Sequence, residues 1–170
     1  MKGGGAMFSS ESGFSMIEVL ISMVVLSVGL LGMAQLQIFS MKMNHSAYLR
    51  TQASLLAEDM IERMRGNPIA VDKGSYDGLP DPQRVTGCQT TTGCAPTEMA
   101  RNDAFDWRLT LAATLPSGQG VVCVDSTPED GASVNAPACD GAGALRVIKV
   151  WWLDDRAKGG LTRFSTSFRP

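Results

Sequence analysis

The chain offers few side chains that could do chemistry, and one of them stands in an unexpected place. Glu18 lies near the start of an apolar run, GFSMIEVLISMVVLSVGLLGM, which occupies residues 13–33. A carboxylate in a membrane-length segment costs roughly 2.5–3.5 kcal/mol at the bilayer centre and less near an end of the segment. Ionisable residues kept in such segments usually serve a function. Glu18 is therefore the first candidate for a functional site.

Four cysteines form the second candidate group, and all of them follow the apolar run: Cys88, Cys94, Cys123 and Cys139. This distribution is typical of a domain exported to an oxidising compartment. Of the possible pairings we favour the local one, Cys88 with Cys94 and Cys123 with Cys139, because each bridge then closes a Gly- and Pro-rich loop. Zinc bound by four thiolates is the alternative, but the close CxxC spacing of such sites is absent.

The remaining polar patterns favour structural roles. Glu58, Asp59 and Glu62 could form a carboxylate cluster for acid–base or metal chemistry, but we favour a solvated helix face beside Arg63 and Arg65. The chain has one histidine, and its 15 Lys and Arg are dispersed among 17 Asp and Glu. This composition argues against His-dependent catalysis, a multi-histidine metal site and nucleic-acid binding. We therefore expect no enzymatic activity, no cofactor and no metal.

A long helix must position these residues. The segment 19–34 has no charge, and with its flanks it reaches the length of a membrane-spanning helix, about 20 residues. The helical pattern continues to Arg65 through an apolar stripe: Leu49, Ala53, Leu56, Met60 and Met64. One helix from Phe14 to Arg65 would be roughly 78 Å long, of which the bilayer core accounts for about 30 Å. The outer half must therefore bury its stripe against the rest of the chain.

The rest of the chain predicts a loop, a second helix and a small sheet. We predict a loop over 68–96 and a helix over 102–115 that is capped by Asn102 or Asp103. Three later segments have strand character, 121–124, 145–153 and 161–168. The predicted fold class is α+β, with the long helix packed on a small antiparallel sheet, since neither could bury its apolar face alone.

The residues around Glu18 resemble the class III signal of type IV pilins and type II secretion pseudopilins. GFSMIEVL, from residue 13 to residue 20, places a glycine, an aromatic residue and a glutamate at the spacing of that family. The resemblance implies that a prepilin peptidase cuts after Gly13, that Phe14 becomes the N-methylated terminus, and that Glu18 serves filament assembly. Cleavage would leave a positive amine on Phe14, which could neutralise the Glu18 of a neighbouring subunit in a low dielectric.

The same resemblance divides the chain into four segments. It implies a leader at 1–13, a transmembrane and filament-core helix at 14–41, an amphipathic half-helix at 42–66 and a periplasmic head at 67–170. The protein would lie in the bacterial inner membrane as a single-pass protein with a periplasmic C-terminal domain, and then in the pilus at the cell surface. Many major pilins have a proline where this chain has Gln35, so a kink is not expected there.

The end of the long helix resembles one particular group within this family. LLAEDMIERMRGNP, residues 55–68, is similar to the PilV-type minor pilins, which are also called type IV pilus modification proteins. That group implies a minor pilin that helps to initiate type IV pilus assembly at or near the tip and supports twitching motility and attachment. The implied partners are other minor pilins, the major pilin, a tip adhesin, the prepilin peptidase and the inner-membrane assembly platform. Two alternatives stay open, a minor pseudopilin of a type II secretion system and a pilus-borne adhesive module.

The mature N-terminus tests the resemblance directly. A secretory signal is the competing interpretation, because Gly32-Met33-Ala34 offers a small-x-small cleavage site. We expect mass spectrometry of the purified protein to find N-methylated phenylalanine from position 14 as the first residue. A strain without prepilin peptidase should retain the leader, whereas a mature chain that begins at Gln35 would contradict the prediction.

Overall fold

A computed structural model describes residues 13–79, 82–154 and 159–169. The predicted leader, apart from Gly13, lies outside these residues. The chain forms two compact units that divide between Asn44 and His45.

Helix α1 extends from Met16 to Arg65 and contributes to both units. It begins where the carbonyl of Ser15 accepts hydrogen bonds from the backbone N–H groups of Glu18 and Val19, at 3.0 and 3.3 Å. It ends at Gly66, whose N–H donates to the carbonyl of Glu62 at 3.0 Å. The prediction of one long helix, with its last turn before Gly66, is confirmed.

The segment between the long helix and the sheet differs from the prediction. It contains a short helix α2, Pro68–Asp72, a 3₁₀ turn, Thr86–Gln89, and a helix α3, Pro96–Thr114. Helix α3 begins at Pro96, before the predicted residue 102, because proline is well tolerated at the first helical position. The Glu98 carboxylate also accepts the N–H of Ala95 at 3.0 Å. The predicted caps, Asn102 and Asp103, therefore lie within the helix and are buried.

Three antiparallel strands form the sheet in the order β1-β2-β3. They are β1, Gln119–Val124, β2, Arg146–Leu153, and β3, Leu161–Phe168. In the register, Val121 pairs with Lys149, and Val150 pairs with Phe164. The predicted α+β fold, with a long helix, a shorter helix and a small antiparallel sheet, is confirmed.

The main core of the second unit lies between the outer half of α1, helix α3 and the inner face of the sheet. From α1 it takes the predicted stripe together with Ala57 and Ile61, and from the sheet it takes Val122, Ile148, Val150 and Trp152. Trp107 of α3 is fully buried, and its Nε1–H donates to the carbonyl of Leu56 on α1 at 2.7 Å. Ala53 and Ala57 are also fully buried, so small side chains let the neighbouring elements approach α1 closely.

Gly120 allows a close contact between β1 and α3, and its replacement tests this packing. A Cβ atom at Gly120 would lie 2.3 Å from Trp107 Cη2 and 2.7 Å from Leu111 Cδ1. Because such overpacking forces shifts in a filled core, we expect Gly120→Ala to lower the free energy of unfolding by about 1–3 kcal/mol. Denaturant unfolding of the detergent-solubilised chain, followed by tryptophan fluorescence, measures it.

Gly160→Ala is the matched control, because a Cβ atom there meets no described atom within 4 Å. Equal stability of the two variants would contradict the packing described for Gly120.

Candidate assembly site

The predicted cleavage point lies in exposed backbone just before α1. Gly13 and Phe14 precede the helix, and the Phe14 side chain is 82 % exposed. A Cβ atom added at Gly13 would meet nothing within 4 Å. The described part of the chain therefore imposes no steric need for glycine at this position. A preference for glycine at residue 13 would have to arise in the cleft of an enzyme that binds this segment.

Glu18 lies in the first turn of α1, where a negative charge is favourable near the positive end of the helix dipole. Its backbone groups are engaged, since its N–H bonds to Ser15 and its carbonyl accepts the hydroxyl of Ser22 at 2.7 Å. Its side chain is exposed, and none of the ion pairs found among the described residues includes it. The carboxylate thus faces outward from an apolar helix.

The surface around Glu18 is apolar and uncovered. In α1 an 18-residue window has a mean hydropathy of 2.3, and none of it is buried. By length and composition this is the one helix among the described residues that could cross a membrane. A shallow apolar groove of about 390 Å³ follows its first turns and is lined by Phe14, Val19, Ser22, Met23 and Leu26. The first unit therefore presents an apolar surface to whatever surrounds it.

The carboxylates near the end of α1 are held by arginines. Arg63 bonds to Asp59 at 2.9 Å and to Asp103 of α3 at 3.2 Å, and Arg65 contacts Glu62. Glu58 is exposed on the same helix. Two of the three carboxylates are thus committed to ion pairs within the fold, which agrees with the structural interpretation of this group.

Asp103 also belongs to a buried network that the sequence did not reveal. The Tyr76 hydroxyl donates to Asp103 Oδ2 at 2.6 Å, and Asn67 Nδ2 donates to that hydroxyl at 3.1 Å and to the carbonyl of Pro96 at 2.8 Å. Burial and the neighbouring carboxylate raise the pKa of Tyr76. The network ties the end of α1 to α3, and its members are too far apart in sequence for a local pattern to indicate it.

The cysteines form two local disulfides in the structure. Cys88 bonds to Cys94 and Cys123 bonds to Cys139, with Cα–Cα distances of 4.7 and 6.2 Å. This is the pairing that the sequence analysis favours. Among the described residues one group has the composition and closeness of a metal site, and it consists of Cys123, Asp125 and Cys139. Because its two sulfurs are bonded to each other, they are not available as thiolates for zinc.

The outer face of the sheet is covered by the loop of residues 125–143, which we call the cover loop. Lys149 projects from β2 beneath it and is fully buried. Its Nζ lies 2.5 Å from Asp125 Oδ2 and 2.7 Å from Asp130 Oδ1, and it donates to the carbonyls of Asp130 and Pro137 at 3.1 and 2.9 Å. The hydrogen bond from Lys149 lowers the pKa of Asp130. The buried lysine was not foreseen, although its place inside the apolar run LRVIKVWWL was a signal.

Two models of known protein families match this chain, and together they cover a part of each unit. Residues 35–105 match a family model described as Type IV pilin Tt1218, and residues 8–34 match the prokaryotic N-terminal methylation motif. The second match contains Gly13, Phe14 and Glu18. No curated protein and no solved structure gave a match.

The hydrogen bonds that Asp140 accepts in the cover loop can be tested by the stability of the protein at acidic pH. Asp140 accepts hydrogen bonds from the hydroxyl and N–H of Ser126 and from the N–H of Ala142, and these bonds lower the pKa of Asp140 to about 2. A carboxyl whose pKa is lower in the folded state stabilises the fold above its ordinary value, about 3.9, and loses that contribution as the pH falls towards 2.

We therefore expect Asp140→Asn to reduce stability at neutral pH and the difference from wild type to shrink between about pH 4 and pH 2. Denaturant unfolding at a series of pH values measures this difference. Asp72→Asn removes the same charge from an exposed position on α2 and serves as the control. A difference that stays constant down to pH 2 would contradict the role of Asp140.

Proposed function

We propose that this protein is a type IV pilin with a prepilin methylation motif, and more narrowly a minor pilin that helps to initiate pilus assembly at or near the tip. The apolar part of α1 anchors the pilin in the inner membrane, and the protein is then incorporated into the pilus. The exposed Glu18 at the start of that helix is the observation that carries the assembly role, and the similarity of residues 55–68 to PilV-type proteins supports the minor-pilin assignment. As a minor pilin, the protein supports twitching motility and attachment.

The proposed mechanism uses the charge of Glu18 to position each subunit. Cleavage after Gly13 creates a positive amine on Phe14, four residues before the carboxylate of Glu18. When two subunits dock, the amine of one can pair with the Glu18 of the other in an environment of low dielectric, where opposite charges attract strongly. A buried pair that loses one partner costs about 3–5 kcal/mol, because it leaves an uncompensated charge. Correct register along the helix is thereby favoured over neighbouring registers.

The minor-pilin assignment is supported by the end of α1. Residues 55–68 resemble the end of the long helix in the PilV-type group. The proposed partners are other minor pilins, the major pilin, a tip adhesin, the prepilin peptidase and the inner-membrane assembly platform. The two disulfide-closed loops are the surfaces we assign to contacts with a tip partner.

Glu18→Ala tests the positioning mechanism. The variant should be processed and remain in the membrane, but its amount in sheared filaments should fall at least about tenfold, since a loss of about 1.4 kcal/mol is sufficient for that change. Immunoblots of membrane and sheared fractions measure the ratio. Glu58→Gln, an exposed carboxylate on the same helix outside the apolar segment, is the control. Normal incorporation of Glu18→Ala would refute the mechanism.

A deletion of the gene separates the proposal from its nearest alternative. A minor pseudopilin of a type II secretion system would use the same N-terminal motif, so the motif does not discriminate between them. Loss of surface pili and twitching, with exoprotein secretion intact, is the outcome we expect. Lost secretion with normal pili would overturn the assignment to the pilus and leave the N-terminal processing unaffected.

A further inference from the structure

Lys149 and Asp125 form an unusual contact beneath the cover loop. Both side chains are 0 % exposed, and Lys149 Nζ lies 2.5 Å from Asp125 Oδ2. That oxygen is nevertheless without a hydrogen-bond partner of acceptable geometry in the described structure. The amine and the carboxyl group are thus in close contact but lack the alignment of a good hydrogen bond. This combination distinguishes the contact from an ordinary ion pair.

The surroundings of the contact exclude water. Val121, Cys123 and Trp151 form a second buried cluster on this face of the sheet, together with partly buried groups of the cover loop. Two opposite charges in such a place remain costly, because both lose their hydration. A neutral amide at the same position would carry a much smaller desolvation cost.

Thr127 and Asp130 complete the arrangement. The N–H of Thr127 donates to Asp125 Oδ1 at 3.1 Å, while its hydroxyl lies 2.9 Å from Asp130 Oδ2. The other oxygen of Asp130 accepts a hydrogen bond from Lys149 at 2.7 Å. Asp130 is therefore a second carboxylate in contact with the Lys149 amine. The N–H of Thr127 contacts Asp125 Oδ1, whereas the amine contacts Asp125 Oδ2.

We propose that Lys149 and Asp125 become joined by an amide bond that forms within the folded chain. The ammonium and the carboxylate react as –NH₃⁺ plus –COO⁻ to give –NH–CO– and one molecule of water. The Nζ–Cγ bond forms, the Cγ–Oδ2 bond breaks, and the two protons lost by Nζ leave with Oδ2. No group is oxidised or reduced, and no co-reactant is needed.

Each neighbouring group has a defined part in the reaction. Asp130 accepts a proton from the ammonium, which frees the electron pair for attack on Cγ, and returns it to the departing oxygen. The N–H of Thr127 stabilises the negative charge that develops on Oδ1. Holding the two reacting groups in contact replaces a collision in solution and raises their effective concentration to the order of 10⁵–10⁸ M. Asp130 is partly exposed, so the water formed can leave on its side.

Mass spectrometry of the full chain, purified from membranes in detergent, decides the proposal. After reduction, alkylation and trypsin digestion we expect peptide 109–146 joined to peptide 147–156, with no cleavage after Lys149. The joined species should be lighter than the sum of its two peptides by one water molecule. Recovery of a free peptide 147–149, with no mass deficit in the wild-type chain, would overturn the proposal and leave the contact as an ion pair.

Variants test the assigned roles. Lys149→Arg keeps the charge and should abolish the joined peptide. Asp130→Asn should slow the reaction by about 10²–10⁴-fold, so that newly made protein is largely unjoined. Glu129→Gln removes a carboxylate of the same loop that contacts Arg163 and Ser165 instead, and it should retain the joined peptide. Undiminished joining in Asp130→Asn would overturn the part given to Asp130.

Discussion

The second unit depends on the burial of one stripe of helix α1. Ala53, Ala57, Met60 and Met64 are completely buried, and they fill the space between α3 and the inner face of the sheet. Without them the fully buried Trp107 and the inner residues of the strands would face water, and each large apolar side chain contributes about 1.5–3 kcal/mol when it is buried. The outer half of α1 is therefore a structural part of the second unit.

The two faces of the sheet are closed by different kinds of interaction. Helices cover the inner face through apolar contacts, and the cover loop closes the outer face through hydrogen bonds, ion pairs and the Cys123–Cys139 disulfide. Arg163 donates to the carbonyl of Gly131 at 2.7 Å, and Ser165 donates to Glu129 at 2.8 Å. Because both faces are covered, the six central residues of β2 are all buried, and the strand lacks the alternation of a half-exposed sheet.

The two units differ in whether their charged side chains are paired within the fold. In the second unit Arg63 and Arg146 are paired with carboxylates, so that their charges stabilise the fold. In the first unit Glu18 has no ion-pair partner among the described residues, although the helix around it is apolar. In the proposed assembly, the amine of a neighbouring subunit supplies the missing cation.

The sequence by itself determined the features that depend on local pattern. Helical periodicity predicted α1 to within two residues at its start, and the spacing of Gly13, Phe14 and Glu18 indicated the prepilin motif. The apolar run of residues 145–153 located β2, and alternation located β3. Helix α3 begins six residues before the predicted start, because Pro96 is tolerated at the first helical position and the Glu98 carboxylate accepts the N–H of Ala95. These are interactions within a few residues, so they were in principle available from the sequence.

Only the tertiary structure decided the long-range polar contacts. Tyr76 meets Asp103 across 27 positions of the chain, and Lys149 meets Asp130 across 19, because sheet register and helix packing bring them together. A polar side chain in an apolar run is ambiguous in sequence, since its burial depends on whether a partner arrives from elsewhere. For Lys149 that partner came from the cover loop, and the position of the loop follows from the folded sheet and its disulfide rather than from any local preference of its residues.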